Sequence, residues 1–484
     1  MNHGGEKRWD YLLIGGEPCT LAQKIDVWNP ATGKLAGQVP RGGAKETALA
    51  IDAAARAFPQ WAKLPAKVRS GYLTDWAERI ERDAKRLAGL LTLEQGKPIS
   101  EAMDEIQGSV EFIRWYAEEG KRAYGELIPG SREQQRIMVL KQPVGVVGMI
   151  TPWNYPAAMV ARKAAPALAA GCSVVIKPAS QTPQIAIALI HHLVDTGIPA
   201  GVVNVVTGSA AEIGETMLTD QRVRKISFTG STEVGKEIMK KAAGQVKRLS
   251  LELGGNAPVI VFPDADLAKA AQAIVDNKFE NCGQMCNGIN VIYAHESILP
   301  ELAERITSLV RSLQVGPGTE QGIQMGPLID ETAVSRVERL VADAVERGAQ
   351  VTTGGYRLGA EGLELGHFYA PTVLTGVTRE MAITHEEVFG PVAPIVSFRT
   401  EEEVLAWAND TPYGLAAYFF TTDVSRVYRV SEALQAGMVA INGTSLSVPQ
   451  APFGGIKESG TGREGGHHGL EEYLELKYVS LTLP

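Results

Sequence analysis

Cysteine is scarce, with four residues (Cys19, Cys172, Cys282 and Cys286) in a chain of 484. That is too few to staple a protein of this length, so a disulfide scaffold is excluded and a reducing, cytoplasmic setting is expected, where a lone thiol can serve catalysis. Metal-ligand spacings are missing too. No H-E-x-x-H or C-x-x-C occurs, and His191-His192 and His467-His468 are merely adjacent, so no metal is expected. Gly443-Thr444-Ser445-Leu446-Ser447 lacks the closing glycine of a G-x-S-x-G elbow, which leaves a serine hydrolase unsupported. Long apolar runs are absent. The run inside MNHGGEKRWDYLLIGG is too short for a signal sequence, and the alanine-rich stretch 156–178 is interrupted by Arg162, Lys163 and Lys177. Positive charge is short: the net charge of -8 argues against nucleic-acid or anionic-membrane partners.

What is present describes an ordinary α/β enzyme: 45% hydrophobic residues, 21% charged residues and 51 glycines. The length exceeds one compact core, so about two or three domains are expected. Turn signals in VWNPATGKLAGQVP separate short strands, and KETALAIDAAARAFPQW then has helical spacing, with further helices through LTDWAERIERDAKRLAGLLTLEQGKP and GSVEFIRWYAEEGKRAYG. From Gln142 the pattern changes. β-Branched runs at 144–150, 173–178, 202–208 and 225–231 alternate with helices at 156–171, 183–196 and 210–220, the second opening on a Thr182 hydroxyl cap and Pro183. Strands and helices in that rhythm make a parallel sheet whose ligands sit at the carboxyl ends of its strands. Its first strand is followed by Thr151-Pro152-Trp153-Asn154-Tyr155-Pro156 rather than G-x-G-x-x-G. The glycine-bearing turn comes after the fourth run, where a helix opening at Ser231 can offer backbone N–H groups to a phosphate. A second α/β unit begins near Asn256, and the tail GLEEYLELKYVSLTLP alternates as a strand that can pair with another subunit.

Two residues in the stretch 251–290 suit acyl transfer. Glu252, in SLELGG, is either a buried ion-pair partner or a base with a raised pKa. A free cysteine is most often a small buried hydrophobe, yet Cys286 stands among Gly283, Gln284, Asn287 and Gly288, which suits an approachable loop. Cys282 reads as structural. Asn154 is either a turn residue or an amide donor to a developing oxyanion.

The motifs TPWNYP, IKPAS, FTGSTEVG, LELGGN, the GQMC loop, EEVFGP and APFGGIKESGTGREGG stand in the order found in NAD(P)-dependent aldehyde dehydrogenases, and the resemblance covers essentially the full chain. Within that family, LEQGKP, APALAAGC, KPASQTP and EEYLELKY are most similar to succinate-semialdehyde dehydrogenases. The resemblance implies the aldehyde dehydrogenase fold: a Rossmann-like cofactor domain from 1–120 and 144–254, an α/β catalytic domain from 255–465, and an oligomerisation β-extension from 121–143 and 466–484. It implies a homodimer or homotetramer. It also implies roles: Cys286 as nucleophile, Asn154 with the Cys286 N–H as oxyanion donors, and Glu252 as the base that releases a free acid. Trp153, Lys177, Ser180, Gly208, Gly230, Ser231, Glu387 and Phe389 match cofactor-binding positions. Ser180 stands where NAD-preferring relatives often have a glutamate that repels a 2′-phosphate, so NADP is expected, with NAD also usable.

For the substrate, Arg162 and Ser447 match two of three residues that hold the carboxylate of succinate semialdehyde. The third, an arginine six residues before the nucleophile, is Glu280 here. A carboxylate there repels an acidic aldehyde or pairs with Arg162 and neutralises it. The expected substrate is a small polar aldehyde, first a semialdehyde such as succinate semialdehyde. The alternatives are a neutral hydroxyaldehyde, an aminoaldehyde, or a non-catalytic structural protein of the same fold.

Overall fold

The computed structural model describes residues 9–359 and 362–484. The opening residues 1–8, part of the segment read above for a signal sequence, lie outside the described residues.

Two largely parallel sheets organise the chain. The first has eight strands in the order Gly460–Thr461, Arg248–Glu252, Val223–Thr229, Val146–Ile150, Ser173–Lys177, Val203–Val205, Leu12–Ile14, Glu17–Cys19. The β-branched runs are its central strands, buried on both faces as a parallel sheet between helices requires. From Val146–Ile150 the chain winds outward through Ser173–Lys177 and Val203–Val205, then returns to the other side with Val223–Thr229. The order therefore reverses beside Ile150 and Thr229, where a crevice opens at the carboxyl ends of the strands. The second sheet has seven strands: Gln350–Thr353, Thr372–Val377, Val392–Phe398, Ile289–His295, Ala257–Val261, Ala416–Phe420, Met438–Ile441. Only Leu253–Asn256 separates Glu252, at the carboxyl end of one sheet, from Ala257, at the amino end of a strand in the other.

The alanine-rich helix Pro156–Ala170 runs through this region with nearly every residue buried. Pro156 starts it, and Gly171 ends it with φ of 101°. Small side chains let it pack tightly, and they carry the charged ends of Arg162 and Lys163 into the interior rather than out to water.

One expectation is corrected. The helix Pro183–Val194 begins where the Thr182-Pro183 pair placed it, but the Thr182 hydroxyl makes no cap bond. The carboxylate of Glu94, from the helix Ala84–Gln95, accepts from the N–H groups of Gln184 and Ile185 at 2.9 Å each. A buried acid brought from 90 residues away does the work assigned to a local hydroxyl. The tail strand Leu474–Thr482 pairs within its own chain, with nine residues in antiparallel register on Gln135–Pro143, which also pairs Glu126–Pro129. The resulting three-stranded sheet leaves Leu127, Tyr478 and Leu476 exposed. Among the described residues no helix is long and apolar enough to cross a membrane.

Candidate active site

The Cys286 loop follows the helix Leu267–Phe279 through a backbone that few residues tolerate. Asn281, Cys282 and Gly283 are successively left-handed, with φ of 50°, 56° and 72°. A Cβ on Gly283 would lie 2.2 Å from the carbonyl oxygen of Gly390, so only glycine fits. The Asn281 N–H donates to Glu101 at 2.9 Å, and its side-chain oxygen accepts from the Gln95 amide at 2.7 Å. These bonds hold strain of order 1–3 kcal/mol per left-handed side chain in place. Cys282 is fully buried and its thiol is pushed far up by burial, consistent with a structural residue.

Cys286 lies partly exposed at one wall of a cavity of about 590 Å³. Burial raises its thiol to about 12; Arg162 opposes the shift, while Glu387 and Glu252 add to it. At rest the sulfur is protonated. The Asn154 side-chain N–H₂ donates to the Gln284 carbonyl at 2.9 Å, and the Asn154 carbonyl accepts from Lys97 at 3.0 Å and from Asn281 at 2.9 Å. One amide hydrogen is thereby spent on orientation, and the other is left for an oxyanion.

Glu252 is buried, and neither carboxylate oxygen has a hydrogen-bond partner among the described residues. Burial and then the Glu464 charge hold its carboxyl well above the usual range, while Lys163, Arg162 and Arg463 pull the other way. Lys163 and Glu464 are site residues the sequence reading passed over. Lys163 donates to Thr229 Oγ1 at 2.6 Å and is hydrogen-bonded to the Glu464 carboxylate, whose own pKa is lowered. Glu464 lies within the quoted GREGG segment, but nothing local distinguishes it from a surface acid.

The cofactor positions gather at the crevice. Ser231 caps the helix Thr232–Ala242 through its side chain. A Cβ on Gly230 would lie 2.4 Å from the Phe228 ring, and one on Gly208, where φ is 146°, would lie 1.8 Å from the Gly42 carbonyl. Lys177 ends its strand buried, its ammonium lowered to about 8 by that burial and without a partner among the described residues. Ser180 follows in the turn after Lys177, with no acid at its position. Glu387 accepts from the Gly255 N–H at 3.1 Å and is raised to about 7 by burial. Phe389, at φ of 51°, meets Trp153 edge-on with ring centres 5.6 Å apart. An unpaired cation, a capped helix start and tight glycines suit a phosphorylated dinucleotide.

Arg162, Glu280 and Ser447 line the same cavity as Cys286. Of the two alternatives for Glu280, pairing with Arg162 does not occur among the described residues. Arg162 is sandwiched by Phe112 and Phe453, 4.8 and 4.2 Å from the ring centres, with Glu464 as its ionic partner at 3.5 Å. Glu280 instead accepts from the Tyr155 hydroxyl at 2.8 Å. Tyr155 reaches it because the Trp153–Tyr155 turn feeds the buried helix, a contact no linear pattern announces.

This fold and site define a class. The chain matches the aldehyde dehydrogenase family over residues 18–479 and belongs to it. It is similar to succinate-semialdehyde dehydrogenase (NADP(+)) GabD of Escherichia coli K12, at 51% identity over 97% of both chains. It is also similar to the glutarate-semialdehyde dehydrogenase of Pseudomonas putida KT2440, at 50% identity over 95% of both chains. The 3-sulfolactaldehyde dehydrogenase of Pseudomonas putida is 49% identical over 94% of this chain and 93% of that one. Among solved structures, an NADP-dependent enzyme of E. coli superposes with a TM-score of 0.96 at 50% identity, covering 98% of both chains.

Proposed function

We propose that this enzyme oxidises a short aldehyde with an acidic group at its far end, a semialdehyde, to the carboxylic acid, using NADP and, less well, NAD. The observation that carries the reading is Arg162. Its guanidinium is fixed between two aromatic rings in the cavity that reaches Cys286, and its Nε and Nη2 make no hydrogen bond among the described residues. Buried donors without partners are costly unless a ligand satisfies them, and a carboxylate matches a guanidinium edge. Succinate- and glutarate-semialdehyde dehydrogenases among the relatives support the same class.

Cys286, once deprotonated, attacks the aldehyde carbon, and the Asn154 amide with the Cys286 N–H holds the resulting oxyanion. NADP, when bound, supplies the hydride acceptor; Lys177, Ser180, Gly208, Gly230 and Ser231 would hold its adenosine and phosphates, and Trp153, Glu387 and Phe389 its nicotinamide end. The acyl group left on Cys286 is released by water, whose proton Glu252 takes. Glu252 must be ionised for that step, and Lys163 and Arg162 favour its ionised form.

The domain scheme 1–120 with 144–254, 255–465, and 121–143 with 466–484 belongs to this reading. So does assembly into a homodimer or homotetramer through the exposed apolar face of the three-stranded sheet. The function is tested with butanal, succinate semialdehyde and glutarate semialdehyde, each with NADP and NAD. A higher kcat/KM for the carboxylated aldehydes and for NADP is expected; equal use of butanal would overturn the Arg162 role, and a preference for NAD the cofactor assignment.

A further inference from the structure

The cavity reaching Cys286 has a mixed lining. Arg162 is its only cationic side chain, yet Glu280 and Glu101 line it as well. Arg162 lines the cavity at 4% exposure; its Nε faces Glu464 at 3.5 Å, while its Nη2 makes no hydrogen bond among the described residues, which leaves a donor for an anion. Glu280 carries the opposite signal. Among the described residues its carboxylate has no cation within ion-pair distance. Its one bond is from Tyr155, whose hydroxyl burial and neighbouring acids keep protonated, so the bond orients Glu280 without neutralising it. Glu101 is close enough to feel the Glu280 charge, and it is tied to the nucleophile loop through Asn281. Glu105, the remaining buried acid of that wall, is already matched by Lys97 at 2.7 Å. A substrate ending in a carboxylate alone satisfies Arg162 and meets an unneutralised carboxylate at Glu280. A substrate ending in an amine alone satisfies Glu280 and leaves Arg162 with Glu464 as its one ionic partner and its Nη2 without a hydrogen bond.

We infer that the substrate's far end carries both charges, so that the enzyme takes an amino-acid semialdehyde, its carboxylate on Arg162 and its ammonium on Glu280. This rests on the proposed function and narrows it: Glu280 is the residue that distinguishes an aminated semialdehyde from a plain one. Both groups are buried or partly buried, where a missing charged partner is felt far more than at a surface.

The test compares kcat/KM of the full chain with NADP for succinate semialdehyde (4-oxobutanoate), its 2-amino derivative (2-amino-4-oxobutanoate) and butanal. The wild type is expected to prefer the 2-amino compound over 4-oxobutanoate by about 10- to 100-fold, the range a single well-placed contact supplies. Glu280→Gln should remove most of that ratio, chiefly through KM for the 2-amino compound, and Glu280→Arg should invert it. Because each ratio is taken within one variant, partial loss of folded protein cancels. A wild type that favours 4-oxobutanoate, or a ratio unmoved by Glu280→Gln, overturns the inference. If 4-oxobutanoate still exceeds butanal, the proposed function stands without it; if butanal equals both, the Arg162 assignment itself falls.

Discussion

At the scale of single residues, burial pushes two groups toward the protonated form, the opposite of what their proposed chemistry needs. The Cys286 thiol is raised to about 12 and the Glu252 carboxyl is raised, both mainly by burial. Such sites depend on neighbours for activation. Cys286→Ala is expected to abolish NADPH formation while leaving the melting temperature near that of wild type. Glu252→Gln should separate the two halves of the reaction. A burst of about one NADPH per site should survive, and steady-state turnover should fall about 100- to 10,000-fold. Only the ionised Glu252 can accept a proton, so hydrolysis should weaken as pH falls through its raised pKa. A pre-steady-state burst that disappears in Glu252→Gln, or a deacylation rate flat with pH, would contradict the assignment. Lys163→Met removes one partner of a buried ion pair and should destabilise the fold by about 3–5 kcal/mol, read from denaturant unfolding.

At the scale of elements, function depends on short segments whose backbone is dictated from elsewhere. The left-handed run Asn281–Gly283 aims the nucleophile loop, and Gly283→Ala forces a methyl against Gly390 at an unfavourable φ. Loss of activity together with a lowered melting temperature is the expected result. The helix Pro183–Val194, which follows the Lys177–Ser180 turn, is capped by Glu94. Glu94→Ala strands two N–H groups and should cost about 1–2 kcal/mol, the range for a lost cap. If the cap also steadies that turn, KM for NADP should rise more than KM for the aldehyde. The helix start was legible from Pro183, but its cap was not, because the partner comes from another helix.

Across the whole molecule, the proposed assembly assigns the three-stranded sheet as the surface covered by a second copy. Leu127, Leu476 and Tyr478 are 83%, 68% and 60% exposed, an apolar display a lone chain would seldom keep. Replacing Leu127 and Leu476 together with Asp should reduce the particle size in light scattering. An unchanged size would place the interface elsewhere. Strand periodicity by itself marked a tail strand without saying which edge receives it; it was the resemblance that grouped the tail with 121–143, where Gln135–Pro143 pairs with it.

The residues proposed to carry the chemistry, Cys286, Glu252 and Asn154, stood out in the chain as candidates, but their local sequence left a structural reading open for each, and their roles came from the ordered motifs around them. The alternating strands and helices of the parallel sheet were legible, since periodicity is a local property. What tertiary structure alone decided is where charges meet. Arg162, which interrupts an apolar run and matches a carboxylate-holding position, is buried between Phe112 and Phe453, and Glu464 rather than Glu280 is its ionic partner. Glu280 turns to Tyr155. Electrostatic pairing acts through space over a few ångströms, so residues 300 positions apart become partners only once the fold has closed.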